Sequence, residues 1–455
     1  MFKISDLIKA TLGQLTSGDA GQGVSGISID SRTIKPGEAY IAIKGNNFDG
    51  HSFIEEVIRK SASCIISELP ANQTIRGSGV AFIQVIDTTK ALGDIARFKR
   101  EKFKGVVIAL TGSNGKTTTK EMIAWVLENK FKVLKNPGTK NNHIGVPFAL
   151  LDLDDSYDVA VLEIGTNHHG EVAYLGNIVQ PDIACLINIG PSHLEFFKNL
   201  EGVYKEKSVL LEYLRKPGMA ILNADDPLLK KRLATARALE IIVGVSLKGR
   251  ADFRASKIRN SCEGLEFCVN RSQKAFNLGT LGYLNIYNAL IAIACARVLG
   301  MEYNDIAARL KQFSFPKDRL QLASLNNVLF INDTYNANPV SLHHALDVLD
   351  KYPVKGRKIL VMGDMMELGL QKDFFHCQAG ERAAEVCDCF ISVGKSTRMA
   401  AEAARSCGLS EKNIFICEDS VQAREVLFKM IAPTRDDIVL VKGSRSMRME
   451  EVLKT

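Results

Sequence analysis

Residues 106–122, VVIALTGSNGKTTTKEM, limit the possible folds more than any other stretch of this chain. An apolar, β-branched run (Val106–Leu110) passes through a loop with two glycines (Thr111–Gly115) straight into a helix that opens at Lys116. Two more runs, DVAVLEIG (158–165) and DIACLINIG (182–190), repeat that grammar of buried strand followed by helix. Strands apolar on both faces and alternating with helices predict a mostly parallel, doubly wound sheet. After Pro316 the series resumes with NVLFIND, RKILVMGD, DCFISVG and DIVLVKGS, predicting a second parallel, Rossmann-like sheet. No G-x-G-x-x-G follows any of these strands, so dinucleotide binding is not indicated there. Ahead of residue 84, short strands and helices mix, with two alternating apolar runs around the turn at Lys35-Pro36-Gly37. A chain of 455 residues exceeds one hydrophobic core, and the expected α/β division is 1–83, 84–315 and 316–455.

The formal net charge of +7 raises the question of nucleic acid. Lysine and arginine are nevertheless spread along the chain without interleaved aromatics, so the expectation is attraction to phosphorylated small molecules and no nucleic-acid partner. No run of 18 apolar residues occurs and the opening residues read as amphipathic, so no membrane insertion is expected. The ten cysteines fall mostly in apolar or helical stretches and read as reduced packing residues of a cytoplasmic protein.

The loop nearly spells a phosphate-binding P-loop, with Leu110 where the first glycine would stand. Gly112 and Gly115 allow close backbone approach, and the amides of Thr111, Gly112, Ser113, Asn114 and Gly115 converge with the helix N-terminus on one spot suited to phosphate. Lys116 would bridge the β- and γ-phosphates, the Thr117 hydroxyl would ligate Mg²⁺, and Thr118 follows in the same turn. Glu163 ends the second strand, either as a metal-holding carboxylate or as a solvated cap. His193 ends the third, as a ligand or as a structural histidine. No Ser-His-Asp or Cys-His arrangement suggests a protein nucleophile.

TGSNGKTTTKE, TKNNHIGVP, LEIGTNHHGEV, NIGPSHLE, NADDP, GYLNIYNALIAIA, NDTYNANP, VMGDMMELG and LVKGSRSMRME together resemble the Mur ligases of peptidoglycan synthesis, in order through all three proposed domains. YNANP and GDMMELG are most similar to the branch that adds D-alanyl-D-alanine to UDP-N-acetylmuramoyl-tripeptide. The family shares the shortened P-loop. The resemblance implies an ATP-dependent, ADP-forming amide ligase acting through an acyl phosphate, expected as a monomer.

On the same ground, Lys116 would cradle ATP, and Thr117, Glu163, His193 and Lys207 would hold two Mg²⁺ ions, with Lys207 carbamylated. The alternative for Lys207 is a surface lysine on a charged helix. Asn285 and Asn288 would lie near the adenine, Arg319 near the nucleotide at the hinge, and Asp333, Tyr335, Asn336 and Asn338 would close over ATP and the dipeptide amine. Asn336 and Asn338 also suit a turn and an N-cap before Pro339. Ser31, Arg32, Lys44 and Gly45 would receive the UDP-sugar, with an Asp30-Ser31 turn as the plainer reading, and Asn141 and Asn142 would meet substrate. The chain departs from the family pattern at His143, Leu284 and Val209. A sister ligase adding the third amino acid would carry an Asp-Asn-Pro-Arg run, which is absent. Folate polyglutamylation would leave the first domain without a purpose, and a silent nucleotide-binding module would have no use for Lys116, Glu163, His193 and Lys207 together.

Overall fold

A computed structural model describes residues 2–45, 47–71, 73, 77–234, 240–261, 264–270, 272 and 274–454. Among them the largest sheet has nine strands. Its spatial order is Val133–Lys135, Val159–Glu163, Val106–Thr111, Ile183–Leu186, Gly218–Asn223, Glu240–Ser246, Phe253–Ser261, Gly264–Val269 and Ala275–Leu278. Pairing is parallel up to Phe253–Ser261 and antiparallel beyond it. The parallel part is the predicted doubly wound sheet, and the antiparallel extension is an addition to it.

Side chains of the Val106–Thr111 strand alternate between two cores. Ile108 and Leu110 pack under the helices Lys116–Leu127 and Asn285–Val298. Val107 and Ala109 pack on the other side with Leu162, Val172 and Leu210. This period of two with both faces covered is what a continuous apolar run encodes. In register, Glu163 lies beside Leu110 and Leu186 beside Thr111, so neighbouring strands end together at one edge of the sheet.

The sheet built from residues 321–442 has six strands, again among the described residues: Gln321–Leu325, Val328–Asp333, Ile438–Lys442, Lys358–Gly363, Cys389–Val393 and Ile414–Cys417. Only its first pair is antiparallel. Asp333 and Lys442 are register partners at its carboxyl edge. A smaller sheet joins Gln14–Ser17, Ala81–Gln84, Cys64–Ser67, Ala39–Ile41 and Ile27–Ser28. The two apolar runs around Lys35-Pro36-Gly37 therefore pair in parallel, Ile27 beside Ala39. The helix Thr88–Lys102 serves two cores at once: Ala91, Leu92 and Ile95 pack on the small sheet, Ala96 on the large one. Buried Arg100 anchors that helix by donating to the carbonyls of Val179 and Gln180 and to Asp182 at 2.8 Å each.

Among the described residues the cysteines are free, and no helix is long and apolar enough to cross a membrane.

Candidate active site

A cleft of ≈ 450 Å³ opens between the carboxyl edge of the nine-stranded sheet and the start of the helix Pro339–Lys351. Its size suits a small-molecule ligand. Ser113, Asn114, Gly115, Lys116, Thr117 and Thr118 form its floor. The loop is tethered from behind. Ser113 N and Asn114 N donate to the carbonyl and side chain of Asn188 at 3.0 and 2.9 Å, and Ser113 Oγ donates to Gly190 O at 2.9 Å. Gly115 adopts φ +80°, and a Cβ there would stand 2.6 Å from Asn288 Oδ1, so both backbone and space require glycine. Lys116 Nζ rests on Gly112 O at 2.9 Å. Burial pushes its pKa down, the Glu163 carboxylate pulls it up, and Arg319 adds to the depression.

Thr111 and Gly112 stand behind the cleft instead of lining it. The Thr111 hydroxyl donates to Ile164 O at 2.9 Å, and Gly112 lies against Ile187. Thr111 is the last residue of its strand and Gly112 the first beyond it, so these contacts hold the start of the loop.

Glu163 is 1 % exposed, which removes the solvated-cap reading. One carboxylate oxygen accepts from Asn141 Nδ2 at 2.6 Å. The other, Oε2, has no hydrogen-bond partner among the described residues, with Lys120 Nζ 4.0 Å away. A buried carboxylate oxygen left in that condition is costly unless a cation completes it. Lys207 is 0 % exposed and its Nζ also lacks a partner among the described residues, so the surface-lysine alternative is wrong. On the helix Leu200–Ser208, Val203, Glu206 and Lys207 face inward while the other charges face out. Burial drives the Lys207 ammonium well below its usual pKa, and the charge of Lys116 adds to this against the opposing pull of Glu206. Glu206 itself is engaged, accepting from Gly170 N and Val172 N at 2.9 Å each and so fixing the loop after Glu163.

His193 lines the cleft, and its Nδ1 is paired with Glu367, from the segment after the strand Lys358–Gly363. Among the described residues no three His, Cys, Asp or Glu side chains form a ready metal cage. The donor set of Thr117 hydroxyl, free Glu163 oxygen and His193 nonetheless fits magnesium, which takes few protein ligands and relies on phosphate oxygens for the rest.

The opposite wall holds the remaining expected residues. Asn338 caps the helix Pro339–Lys351, accepting from Ser341 N at 3.0 Å, and donates across the cleft to Asn114 Oδ1 at 2.7 Å, so the capping and cleft roles coexist. Asn336 Oδ1 accepts from Ala337 N and Arg445 N at 2.9 and 3.2 Å. Arg319 lies over the Tyr335 ring, 3.9 Å from its centroid. Asp333 pairs with Lys442 at 2.5 Å. Asn288 receives a hydrogen bond from Thr119 and donates to Asn285, joining the phosphate loop to the far end of the cleft. Leu284, one of the departures, offers its N–H to His344 Nε2 at 3.4 Å. His143 is exposed, and Val209 begins a 3₁₀ turn.

Two groups do not gather as expected. Asn141 and Asn142 line the cleft but are occupied, the first by Glu163 and the second by capping Gly145 N at 2.8 Å. Ser31, Arg32, Lys44 and Gly45 sit on the small sheet's loops, outside this cleft. Arg32 donates to Asp30 through Nε and Nη2 at 2.9 and 2.6 Å while its backbone N–H closes the predicted turn. Asn46, within the same stretch, lies outside the described residues. Sequence reasoning missed Lys442 and His344, both on the cleft wall. Lys442 was findable by the strand-end logic that nominated Glu163. His344 sits in a helix that reads as surface. A second strand–Gly-Lys-Ser-Thr–helix junction, at 394–397, is not a nucleotide site: Asp364 already accepts from Lys395 N and Thr397 N at 3.1 and 2.8 Å.

Known proteins place this architecture. Models of the Mur ligase family, catalytic domain, the Mur ligase middle domain and the Mur ligase glutamate ligase domain match residues 23–100, 110–296 and 318–445. The chain is 35 % identical to the UDP-N-acetylmuramoyl-tripeptide--D-alanyl-D-alanine ligase of Escherichia coli (strain K12), covering 98 % of each. Among solved structures it resembles MurF from Acinetobacter baumannii, with TM-score 0.90, 32 % identity and 99 % and 98 % of the two chains covered. It also resembles the MurF ligase of Thermotoga maritima in complex with ADP, with TM-score 0.83, 28 % identity and 95 % and 96 % covered. With three family models along its length and a relative of that identity over nearly all of it, the chain belongs to the Mur ligase family.

Proposed function

We propose that this chain is the ADP-forming ligase that joins D-alanyl-D-alanine to UDP-N-acetylmuramoyl-tripeptide. The observation that carries the reading is the cleft itself: a phosphate loop on one wall, a cap-bearing helix on the other, bridged by Asn114 and Asn338, with an unpaired Glu163 oxygen beside Lys116 and Thr117. The names of the full-length relatives supply the substrates, and the ADP held by the Thermotoga relative supports ATP as the nucleotide.

In this reading the terminal carboxylate of the tripeptide attacks the γ-phosphorus of ATP, and ADP leaves. The amine of the dipeptide then attacks the acyl carbon, the acyl C–O bond breaks, inorganic phosphate leaves with the bridging oxygen, and the amine proton passes to solvent. Lys116 and the loop amides hold the phosphates and offset the charge that develops during transfer. Asn141 aims the Glu163 carboxylate. Thr117, Glu163, His193 and a carbamylated Lys207 would hold magnesium, which supplies charge neutralisation at the phosphates. Carbamylation suits Lys207, because a buried amine kept neutral can add to CO₂ and become an anion. Residues 316–455 close on 84–315, and Asp333, Tyr335, Asn336 and Arg319 meet the nucleotide on closure. Residues 1–83, through Ser31, Arg32, Lys44 and Gly45, receive the UDP moiety.

Purified protein given ATP, Mg²⁺ and the UDP-tripeptide should turn ATP over repeatedly only when D-alanyl-D-alanine is added, because the first half-reaction alone stops at one ADP per site. Equal release without the dipeptide would contradict the assignment, and coupling of single amino acids would move it to the sister ligase.

A further inference from the structure

The helix Pro339–Lys351 reaches the cleft twice. Its N-cap Asn338 touches the phosphate loop at Asn114. Six residues on, about 9 Å along the axis at the rise of an α-helix, His344 lines the same cleft beside Leu284, Asn285 and Leu320. That spacing leaves room for a ribose between a phosphate held at Asn114 and a group held at His344. The imidazole is built into the wall. Nε2 accepts the Leu284 N–H at 3.4 Å and would stand 3.2 Å from a Cβ on Gly282, so a side chain at 282 would push the ring away.

Burial takes the His344 pKa down to about 4 against the opposing pull of Asp333 and Asp347, so the ring is neutral at pH 7. A neutral imidazole whose Nε2 accepts keeps its proton on Nδ1 and has one donor left to offer. The wall around it is partly apolar, with Leu284 and Leu320 flanking Asn285. An uncharged donor in such surroundings suits the flat, uncharged end of a nucleotide better than its phosphates.

We infer that His344 is a nucleobase-contacting residue supplied across the cleft by the C-terminal part of the chain, donating from Nδ1 to an acceptor ring nitrogen of the purine. This rests on the reading of the cleft as an ATP site. One rigid helix then carries a phosphate-side contact and a base-side contact, so the wall that closes over ATP recognises both ends of it.

Calorimetric titration of the full chain with Mg²⁺ and either AMP-PNP or inorganic tripolyphosphate separates the contacts. In His344→Ala, AMP-PNP should bind on the order of tenfold more weakly, the loss of one hydrogen bond, while tripolyphosphate affinity stays unchanged. His344→Asn, which returns an N–H near the Nδ1 position, should recover most of the loss, and His344→Leu, which fills the space without a donor, should not. Exposed His343, paired with Asp347, gives a control whose alanine variant binds both ligands normally. Unchanged AMP-PNP affinity in both the Ala and Leu variants overturns the inference. An equal loss for both ligands also overturns it, assigning His344 to support of Asn338. A wild-type protein that binds neither ligand removes the ATP reading beneath it. Should the alanine variant fail to fold by circular dichroism, the Asn and Leu pair decides.

Discussion

Replacing Lys207 by methionine should make the protein more stable and inactive at the same time. The side chain is fully enclosed, its Nζ has no partner among the described residues, and Lys116 lies near enough to oppose its charge. Removing an unpaired buried donor while keeping an apolar stem regains about 1–3 kcal/mol, or a rise of several degrees in Tm at roughly 2–4 °C per kcal/mol for a large domain. The pH dependence has a definite sign. The native pKa lies below the ordinary 10.5, so the unfolded chain binds the extra proton and wild-type stability climbs as pH rises toward that value. The methionine variant lacks this slope, so its advantage is greatest at lower pH. Lys207→Ala instead leaves a cavity costing about 2–5 kcal/mol, one that a small carboxylate can enter. Differential scanning fluorimetry in carbonate-free buffer, with turnover measured in parallel with and without acetate or propionate, reads all of these. A methionine variant that melts several degrees below wild type, or that turns over normally, would refute the reasoning. Rescue of the alanine variant, but not the methionine variant, by the added acid is the expected signature of a native carbamate.

Glu163→Gln keeps the hydrogen bond to Asn141 but removes the buried charge. It should raise the magnesium concentration needed for half-maximal turnover at least tenfold without lowering Tm, and an unchanged magnesium titration would remove Glu163 from the metal site. Alanine at Asn114, at Asn338 and at both should show a coupling of about 1 kcal/mol in ATP affinity, the worth of one hydrogen bond; strictly additive losses would mean the bridge does not form in solution. Asp437 reports on acid stability: burial would raise its pKa, but hydrogen bonds from Arg357 and Thr434 prevail and hold it at about 2 against an ordinary 3.8. Its contribution, about 2 kcal/mol, is complete above pH 4 and lost as pH falls toward 2, so Asp437→Asn should flatten the acid limb of the stability curve, and an unaltered limb would exclude the pair.

Strand-end logic made much of this site legible. Apolar runs that stop at Gly115, Glu163 and the His193 loop announce a parallel sheet and the edge where its ligands bind, and the structure puts those ends side by side. The antiparallel extension at 253–278 was not legible, because FRASKIRNS alternates charge with half-buried residues and carries no long apolar run. His344 was hidden, and Lys207 was reached only through the family resemblance, for a related reason. Each sits among charged or polar helix residues, and only packing against other parts of the chain buries them. Arg32 shows a further limit, since its two-point pairing with Asp30 is a contact that its suitability for a diphosphate did not announce.

The most direct test of phosphoryl transfer to an acid follows oxygen. The UDP-tripeptide is prepared with ¹⁸O at both oxygens of its terminal carboxylate and coupled to D-alanyl-D-alanine by the protein with ATP and Mg²⁺, and the released phosphate is weighed by mass spectrometry. An acyl phosphate predicts one ¹⁸O atom in each inorganic phosphate, carried over when the amine displaces it. Phosphate free of label, with the amide still formed, would contradict the account.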